Sequence, residues 1–562
     1  MKRRVKYYKR EKNGTVYRQP WIGYSYRNGN GTPDFKREFS LAGWGEQQVE
    51  AIDHALRHGS APESACRVEF LDAVSIGAPW TAYRIAEDLG IVGHLDCFEE
   101  KHRLALLAMI LDRVVQPLPH SKLALWEALP GSALERVVAP EGFVSKLHDF
   151  YGALEQVYEK QDDIQKSLFT GRETSDRMFL YDITSSYFEG CECSLAEFGY
   201  NRDGKKGKMQ IVIGLLTDAD GRPLAIEVFE GNTSDQTTVM GRIDSMRKQF
   251  GIEEMIFIGD RGMLTRARRS DLQAEEYGKV KYISALTRKE FFQFLEDQSH
   301  PIQLGIFDRQ KLIEVEHDGV RYVLSFNPEK ESEDRATRLK LIAKTRDRLE
   351  MVQRNVNSGR WKRPEVIAKR IHRWVNNWRM ERFFDYTYSE GRFSFELNHE
   401  RIEQYEAIDG FYVLTTDVVK DELPTDEVRS RYKSLSQVEQ AFRTMKTTDL
   451  FVRPIRHWNP DRVKGHVFVC MLSYLIVWKA RELFAEFITR DQASDDDQPE
   501  DACHSLRIIW ERLNMWMQIG RLRVAGRTQE QLNTLPPEAK LVLGAANAMP
   551  TARNIARLKL VG

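Results

Sequence analysis

The sequence predicts an α/β protein of several domains, and three observations lead to this prediction. Residues 51–170 place apolar side chains at helical spacing, as in the stretch "HRLALLAMILDRVV". From residue 177 the pattern changes to short apolar runs of the kind that form buried strands. The chain has 562 residues, which is too long for a single hydrophobic core.

Five short apolar runs predict the strands of a sheet. They are "RMFLYDIT", "KMQIVIGLLTD", "RPLAIEVFEG", "EMIFIGDRG" and "KYISALT". The second and third are separated by the turn "DADGRP", so we expect them to pair as a hairpin. The first run ends at Asp182 and the fourth at Asp260. A carboxylate at the end of a buried strand is costly unless it is paired, hydrogen-bonded or bound to a metal. A single aspartate there could also be a simple turn residue.

A helix is predicted from about 425 to 447, in the stretch that contains "RYKSLSQVEQAFRTMK". Its apolar side chains recur at helical spacing and form one face. Tyr432, Glu439 and Lys446 are seven residues apart in turn, and seven steps of about 100° return to within about 20° of the start. These three should therefore share a second face, with Arg443 at its edge. Taken alone, this face could also be a solvated surface with a Glu–Arg pair.

Changes of pattern and composition divide the chain into six segments. We expect an N-terminal β-hairpin region, a helical region, a first part of the sheet-containing core, an insertion, a second part of the core, and an acidic loop followed by a helical appendage. Their predicted boundaries are 1–50, 51–176, 177–287, 288–408, 409–490 and 491–562.

Bulk composition narrows the class of protein. A hydrophobic fraction of 42% and a charged fraction of 30% are typical of a soluble, folded chain. The 83 basic residues equal the 83 acidic ones, so only local clusters of charge can indicate a nucleic-acid partner. The six cysteines do not form a disulfide scaffold. Cys191 and Cys193 have no second pair at zinc-site spacing, so we expect them to be reduced.

Two observations bear on location. The N-terminal stretch "MKRRVKYYKR" has no apolar segment after its charges, so it does not resemble a secretory signal. The longest apolar run, at 466–478, is shorter than the ~20 residues of a membrane span, so we expect a buried helix. The sequence predicts a cytoplasmic, nucleoid-associated protein that does not bind a membrane.

Three carboxylates, Asp182, Asp260 and Glu439, could come together if both strand ends meet the helix. Oxygen ligands without histidine or cysteine suit Mg²⁺, for which Mn²⁺ can substitute. Two such ions about 4 Å apart can promote an in-line phosphoryl displacement, with one activating the attacking oxygen and the other stabilising the leaving oxygen.

Two basic regions suit a nucleic-acid substrate. The loop "NRDGKKGK" presents Lys205, Lys206 and Lys208 to phosphates, although a solvated turn is equally consistent with it. Arg261, directly after Asp260, could contact a phosphate or pair with a carboxylate. Residues 335–382 contain 15 Lys/Arg against 4 Asp/Glu. The three tryptophans of that region, Trp361, Trp374 and Trp378, could stack on an unpaired base or belong to a core.

Together these motifs resemble bacterial insertion-sequence transposases of the DDE, RNase H-like type. The resemblance is to the insertion-sequence-four superfamily and, within it, to the sixteen-thirty-four family branch. In that group the first aspartate ends a strand, here "LYDITSSYF", and the second stands in an Asp-Arg-Gly motif, here "IGDRG". A Tyr-x2-Arg-x3-Glu-x6-Lys helix matches Tyr432, Glu439 and Lys446, whereas Leu435 replaces the expected arginine.

The resemblance implies a fold and a reaction. The fold is an RNase H-like core, a five-stranded mixed sheet with flanking helices, interrupted by a β-rich and basic insertion and preceded by a mostly helical N-terminal region. The implied activity is cut-and-paste transposition, in which the ends of the element are cleaved and the freed 3′-hydroxyl attacks target DNA. Asp182, Asp260 and Glu439 would be catalytic and would hold two Mg²⁺ ions. Tyr432, Arg443, Lys446 and Arg261 would bind DNA.

The implied partners are the terminal inverted repeats, target DNA and a second copy of the chain in a synaptic dimer. We expect residues 1–170 to recognise the ends of the element, with basic side chains of the N-terminus on phosphates: Lys2, Arg3, Arg4, Lys6, Lys9 and Arg10. A surface cluster of charge at the terminus is an alternative. Two other functions remain open: a metal-dependent nuclease that does not join strands, and a catalytically silent DNA-binding descendant of a transposase.

Overall fold

The computed structural model describes residues 2–12, 15–42, 44–59, 68–170, 177–200, 202, 204–205, 207–252, 254–274, 277, 279–296, 312–389, 391–448, 450, 452–492, 502–524, 527–558 and 560. The chain forms two compact units. The first unit contains Met1–Glu253 and Ser434–Gly562, and the second contains Glu254–Lys433.

The strands of both units, in chain order, are β1 (Arg3–Lys12), β2 (Thr15–Arg27), β3 (Pro33–Ser40), β4 (Val68–Ser75), β5 (Met178–Tyr187), β6 (Gln210–Asp218), β7 (Pro223–Glu230), β8 (Met255–Gly259), β9 (Val280–Ala285), β10 (Ile313–His317), β11 (Val320–Phe326), β12 (Phe384–Ser389), β13 (Arg392–Leu397), β14 (Phe411–Thr416), β15 (Gln518–Val524) and β16 (Arg527–Leu532).

The α-helices, in chain order, are α1 (Glu46–His58), α2 (Gly77–Asp88), α3 (Ile91–His94), α4 (Glu100–Val115), α5 (Lys122–Ala128), α6 (Ala133–Val138), α7 (Leu147–Glu159), α8 (Gln161–Thr170), α9 (Asp235–Phe250), α10 (Arg266–Leu272), α11 (Arg288–Glu296), α12 (Pro328–Asn357), α13 (Pro364–Asn376), α14 (His399–Ala407), α15 (Thr425–Lys433), α16 (Leu435–Arg443), α17 (Pro460–Leu483), α18 (Ala485–Gln492), α19 (Ala502–Trp516), α20 (Pro537–Ala545) and α21 (Ala552–Ile555). A π-helical turn, Thr444–Thr448, follows α16.

The first unit contains three antiparallel sheets. β1, β2 and β3 form one, so the predicted N-terminal hairpin has a third strand. β5, β6 and β7 form the second, and β6 with β7 is the hairpin that the turn "DADGRP" predicts. β4, β15 and β16 form the third. This last sheet corrects two expectations, because the helical region 51–176 and the C-terminal appendage both contribute strands to it.

The longest apolar run of the chain lies in α17, the central helix of the first unit. By length and composition α17 could cross a membrane, but 83% of its most apolar window is buried within the fold. It packs against α4 and α7 of the N-terminal part and against β7. At Gly465 a Cβ atom would overlap the main-chain carbonyl of Leu154, so only glycine permits this close approach of α17 to α7. The helix is therefore a core helix, as predicted.

The second unit is built on a mixed sheet with the strand order β10-β11-β14-β9-β8. β8 and β9 are parallel, and the other pairs are antiparallel. Residues 288–408, which we expect to be a β-rich insertion, contain the helices α11 to α14 as well as strands. Moreover β10 and β11 extend the sheet at β14 rather than standing apart from it. α12, α13 and the β12–β13 hairpin enclose a smaller core that includes Leu349, Val375 and Phe393.

Candidate active site

Asp182 lies within β5 and not at its end, which corrects the sequence prediction. The strand continues to Tyr187, because the hydroxyl residues Thr184, Ser185 and Ser186 are buried and stay in register with β6. Asp182 is paired opposite Leu215 and is partly exposed, whereas the four residues on each side of it are buried. Its Oδ1 accepts the N–H of Ile183 at 2.8 Å. The strand thus presents one carboxylate from an otherwise buried segment.

Glu439 is presented by the helix that packs on this strand. α16 contacts β5 and β6 through its buried face, which includes Val438, Ala441 and Phe442. Glu439 follows Val438 directly and is exposed. The carboxylates of Asp182 and Glu439 therefore belong to two elements of the first unit that pack against each other.

Lys446 is held by the same strand. It lies in the π-helical turn after α16, and only 8% of it is exposed. Its Nζ donates to Oγ1 of Thr184 at 2.6 Å and to the main-chain carbonyl of Ser185. Thr184 is two residues beyond Asp182, so both side chains project from the same face of β5. The run of hydroxyls after Asp182 is the sequence signal that accompanies this contact. Arg443, one turn earlier, is exposed.

Asp260 follows β8 in the second unit, where the sequence predicts it. Its carbonyl accepts the N–H groups of Met263 and Leu264, both at 3.0 Å, so the residue begins a tight turn. Its Oδ1 accepts the N–H of Arg261 at 2.7 Å and the hydroxyl of Tyr432 at 3.4 Å. Tyr432 is on α15, which packs on β8, β9 and β14 of the same unit. Arg261 is exposed.

The helix predicted from 425 to 447 is not continuous. α15 ends at Lys433, α16 begins at Leu435, and the π-helical turn follows Arg443. A π turn contains more residues per turn than an α-helix, which changes the direction of the side chains after it. Glu439 and Lys446, although seven residues apart, therefore do not keep the alignment that a regular helix would give them.

The donor set fits a hard divalent cation, because Asp182, Asp260 and Glu439 all offer carboxylate oxygens. Over the described ranges, no group of three or more histidine, cysteine, aspartate or glutamate side chains lies close enough to hold a metal ion. Asp182 and Glu439 belong to the first unit and Asp260 to the second. The assembly of all three stays a prediction.

The basic loop before β6 contacts the end of β5. Nζ of Lys205 lies 5.9 Å from the ring centre of Tyr187, the last residue of that strand. Nζ of Lys208 is 2.7 Å from a carboxylate oxygen of Glu189. Lys206 lies outside the described residues. Lys205 and Lys208 are both exposed, and their contacts with Tyr187 and Glu189 hold them near the end of β5.

The tryptophans of the basic region in the second unit fit the core interpretation. Trp361 and Trp374 pack against the smaller core. The guanidinium of Arg370 lies 3.9 Å from the ring centre of Trp361, and that of Arg348 lies 4.1 Å from Trp374. The side chain of Trp378 lies outside the described residues.

Of the six N-terminal cations, five lie on β1 and Lys2 precedes it. Arg3 pairs with Glu38 at 2.6 Å, and a guanidinium nitrogen of Arg4 donates to the hydroxyl of Ser25 at 2.6 Å. Lys2 and Lys6 are exposed. The side chains of Lys9 and Arg10 lie outside the described residues. DNA contact by these residues stays a prediction.

Comparison with known proteins identifies the class. Residues 176–476, more than half of the chain, match the family model described as "Transposase DDE domain". The protein is thus of the polynucleotidyl-transferase and nuclease class, whose members generally use divalent metal ions. The chain belongs to the transposase DDE domain family.

Two further comparisons add little. No curated protein matches the chain. Among solved structures, it is similar to the piggyBac transposase synaptic complex with hairpin DNA, with 8% identity and a TM-score of 0.37. That match covers 78% of this chain and 80% of the other. At this TM-score the likeness carries no argument about the site.

Proposed function

We propose that this protein is a metal-dependent DNA transposase that cleaves the ends of an insertion sequence and joins them to target DNA by a cut-and-paste route. The observation that supports this most directly is the packing of α16 on β5. α16 bears the exposed Glu439 and β5 bears Asp182, and both elements lie within the residues that match the transposase family model. The sequence motifs favour the sixteen-thirty-four branch of the insertion-sequence-four superfamily and an RNase H-like core.

The proposed chemistry is two phosphoryl displacements. In the first, water attacks a phosphodiester at the end of the element, and the bond to the bridging 3′ oxygen breaks, which leaves a 3′-hydroxyl. In the second, that hydroxyl attacks a phosphodiester of target DNA, and a target 3′-oxygen leaves. Asp182, Asp260 and Glu439 would hold two Mg²⁺ ions, which stabilise the charge that develops on the attacking and leaving oxygens.

The cationic residues would position the DNA. Arg443 and Arg261 are exposed and can reach phosphates, as can Lys205 and Lys208. Tyr432 would orient Asp260 through its hydroxyl. The terminal inverted repeats, target DNA and a second copy of the chain are the proposed partners, in a cytoplasmic, nucleoid-associated reaction.

The test is a cleavage assay with the purified chain, Mg²⁺ and a DNA fragment that contains the gene and its natural flanks. We expect discrete cuts at the two flanks, lost in Asp182→Asn, Asp260→Asn and Glu439→Gln while DNA binding is retained. Asp220→Asn is the matched control, because Asp220 is an exposed aspartate in the turn between β6 and β7 of the first unit.

Other outcomes separate the alternatives. Cuts scattered along the fragment, without a strand-transfer product, would identify a nuclease. Binding to the flanks that needs no metal and gives no cuts would identify a silent DNA-binding descendant. Full cleavage by any one of the three carboxylate variants would remove that residue from the site.

A further inference from the structure

The end of β5 meets the segment after α16 in a surface rich in cations and rings. Phe188 bridges to Ile455 in parallel register, and the N–H of Glu189 donates to the carbonyl of Ile455 at 2.9 Å. Two stretches of the first unit, the described residues of 187–208 and residues 453–458, are thereby joined. We call the surface they form the end platform and define it by Tyr187, Tyr200, Lys205, Arg453, Arg456 and Trp458.

Cations from both stretches converge on the end platform. Lys205 and Arg453 both lie over the ring of Tyr187, at 5.9 Å and 5.4 Å from its centre. Glu189, two residues after Tyr187, bonds Lys208 at 2.7 Å. The Lys208 ammonium, together with Arg456 and Lys205, holds the pKa of the Glu189 carboxyl below its usual value. The surface is therefore electropositive around one carboxylate, which suits an anionic partner.

Large rings are exposed on the same stretches. Tyr200 is 83% exposed and Trp458 61% exposed. The guanidinium of Arg462 lies 5.4 Å from the Trp458 ring centre, so the Trp458 ring, like that of Tyr187, lies close to a cation. The carbonyl of Tyr200 is fixed by Nε2 of Gln210 at 3.2 Å. Exposed rings interleaved with cations are the combination that binds single-stranded nucleic acid, since bases stack on rings and phosphates meet cations.

We propose that the end platform binds a single-stranded DNA segment, with bases stacked on Tyr200 and Trp458 and phosphates on Lys205, Arg453 and Arg456. Paired bases in a duplex are already stacked on each other, so the rings favour an unpaired strand over a duplex. Tyr187 is five residues beyond Asp182 on β5, about 17 Å along the strand, and because five is an odd number of steps its side chain projects from the opposite face. Within the proposed transposase function, on which this location depends, a strand parted from its complement at Asp182 would pass around the end of β5 to reach the platform.

The experiment measures affinity by fluorescence anisotropy, with a labelled thymidine oligonucleotide and a duplex of the same length as probes. The protein is the full chain with Asp182→Asn, so that cleavage cannot alter the probes. We expect Tyr200→Ala and Trp458→Ala each to weaken single-strand binding about 5- to 150-fold, since stacking on one ring contributes about 1–3 kcal/mol per base. Duplex affinity should change less than about twofold.

Two control variants sharpen the result. Tyr200→Phe keeps the ring and should bind the single strand as the parent does. Leu541→Ala, at a 60% exposed residue of α20, should leave both affinities unchanged. Equal losses for single strand and duplex would indicate a duplex surface and overturn the proposal, as would unchanged binding in both ring-to-alanine variants.

The outcome is independent of the cleavage assay. Selective loss of single-strand binding together with no end cleavage would retain the platform and reject the transposase. End cleavage together with unaltered single-strand binding would retain the transposase and reject the platform.

Discussion

The ammonium of Lys446 donates to Oγ1 of Thr184 at 2.6 Å, and this bond ties the turn after α16 to β5. α16 bears Glu439, and β5 bears Asp182. A charge-assisted bond in a buried place is short and strong, and it fixes the distance between the backbones that it joins. Lys446, which the motif predicts on a DNA phosphate, is in this structure bonded to the strand. We infer that it positions the helix on the strand.

Thr184→Val should expose this positioning role, because valine keeps the shape of threonine and removes the acceptor. Lys446 would lose this acceptor while its bond to the Ser185 carbonyl remains, and we expect the free energy of unfolding to fall by about 1–3 kcal/mol. We also expect slower end cleavage with unchanged DNA binding. Thr184→Ser, which retains the hydroxyl, is the control and should cleave near the parent rate.

A double-mutant cycle that combines Lys446→Met with Thr184→Val tests whether the two side chains stabilise the protein through the bond between them. If the two side chains act through their bond, the losses in unfolding free energy should be non-additive by about 0.5–3 kcal/mol. Strictly additive losses would show that Lys446 contributes to stability through other contacts, such as that with the Ser185 carbonyl, and not through Thr184.

The close crossing of α17 and α7 makes Gly465 intolerant of any side chain. In Gly465→Ala the Cβ would overlap the Leu154 carbonyl, and neither backbone can move without displacing a helix. We expect a loss of unfolding free energy of about 1–3 kcal/mol or more, from urea titration followed by circular dichroism. Gly544→Ala is the matched helical control, since a Cβ there would have no heavy atom within 4 Å apart from its chain neighbours and the backbone of its own helix. An equal loss in both variants would exclude the crossing as the cause.

The sequence predicts those strands and helices whose buried face can be recognised from the spacing of their own apolar residues. The apolar runs around Asp182 and Asp260 are strands because their own residues supply the buried face. β4 was not predicted, because the strand with which it pairs, β15, lies more than 400 residues away, as in the pairing of Gln518 with Ser75. Local periodicity contains no information about such a pairing. The break at Ser434 also has no proline or glycine to signal it.

The position of Asp182 shows how partners set the length of a strand. Its hydroxyl neighbours favour a turn by propensity. They remain in the strand because β6 pairs with them, and because the Ser185 hydroxyl accepts the N–H of Arg202 at 2.9 Å. The motifs therefore predict which carboxylates are candidates. The position of each carboxylate within its strand depends on contacts with distant parts of the chain, which the motifs do not contain.

Lys122 should make stability depend on pH. Its Nζ bonds Nδ1 of His466 at 2.9 Å, and burial, followed by the charge of Arg113, lowers the pKa of Lys122 to about 7. Between about pH 7 and 10.5 the unfolded chain holds the proton that the folded chain has released, so stability rises with pH. The slope contributed by this one group is at most about 1.4 kcal/mol per pH unit.

Comparison with Lys122→Met isolates this contribution. We expect the unfolding free energy of the parent, relative to that of the variant, to rise from pH 7 to 8.5. The other titratable groups of this cluster act mainly outside that window. Burial lowers the pKa values of His466 and His457, and burial raises that of Cys470. A parallel pH profile in parent and variant would show that Lys122 is not the source.

The ion pair between Arg338 and Asp409 should stabilise the second unit, because both side chains are buried and neither can be solvated by water instead. The guanidinium of Arg338 on α12 lies 2.6 Å from the Asp409 carboxylate, and their side chains are 5% and 2% exposed. In Asp409→Ala the buried cation would keep its contact with Glu406, at 3.2 Å, and lose the shorter and more buried one. We expect a loss of about 3–5 kcal/mol in unfolding free energy, because breaking a buried pair leaves an uncompensated charge.

Hydrogen exchange of the α12 amides measures this loss within the second unit. Glu333→Ala is the matched control, since Glu333 forms an exposed pair with Lys330 on the same helix. An exposed pair contributes about 0–1 kcal/mol, so protection of α12 should hardly change in that variant. If Asp409→Ala leaves α12 as protected as Glu333→Ala does, then the apolar core around Leu349 and Val375, and not the buried ion pair, holds α12 in place.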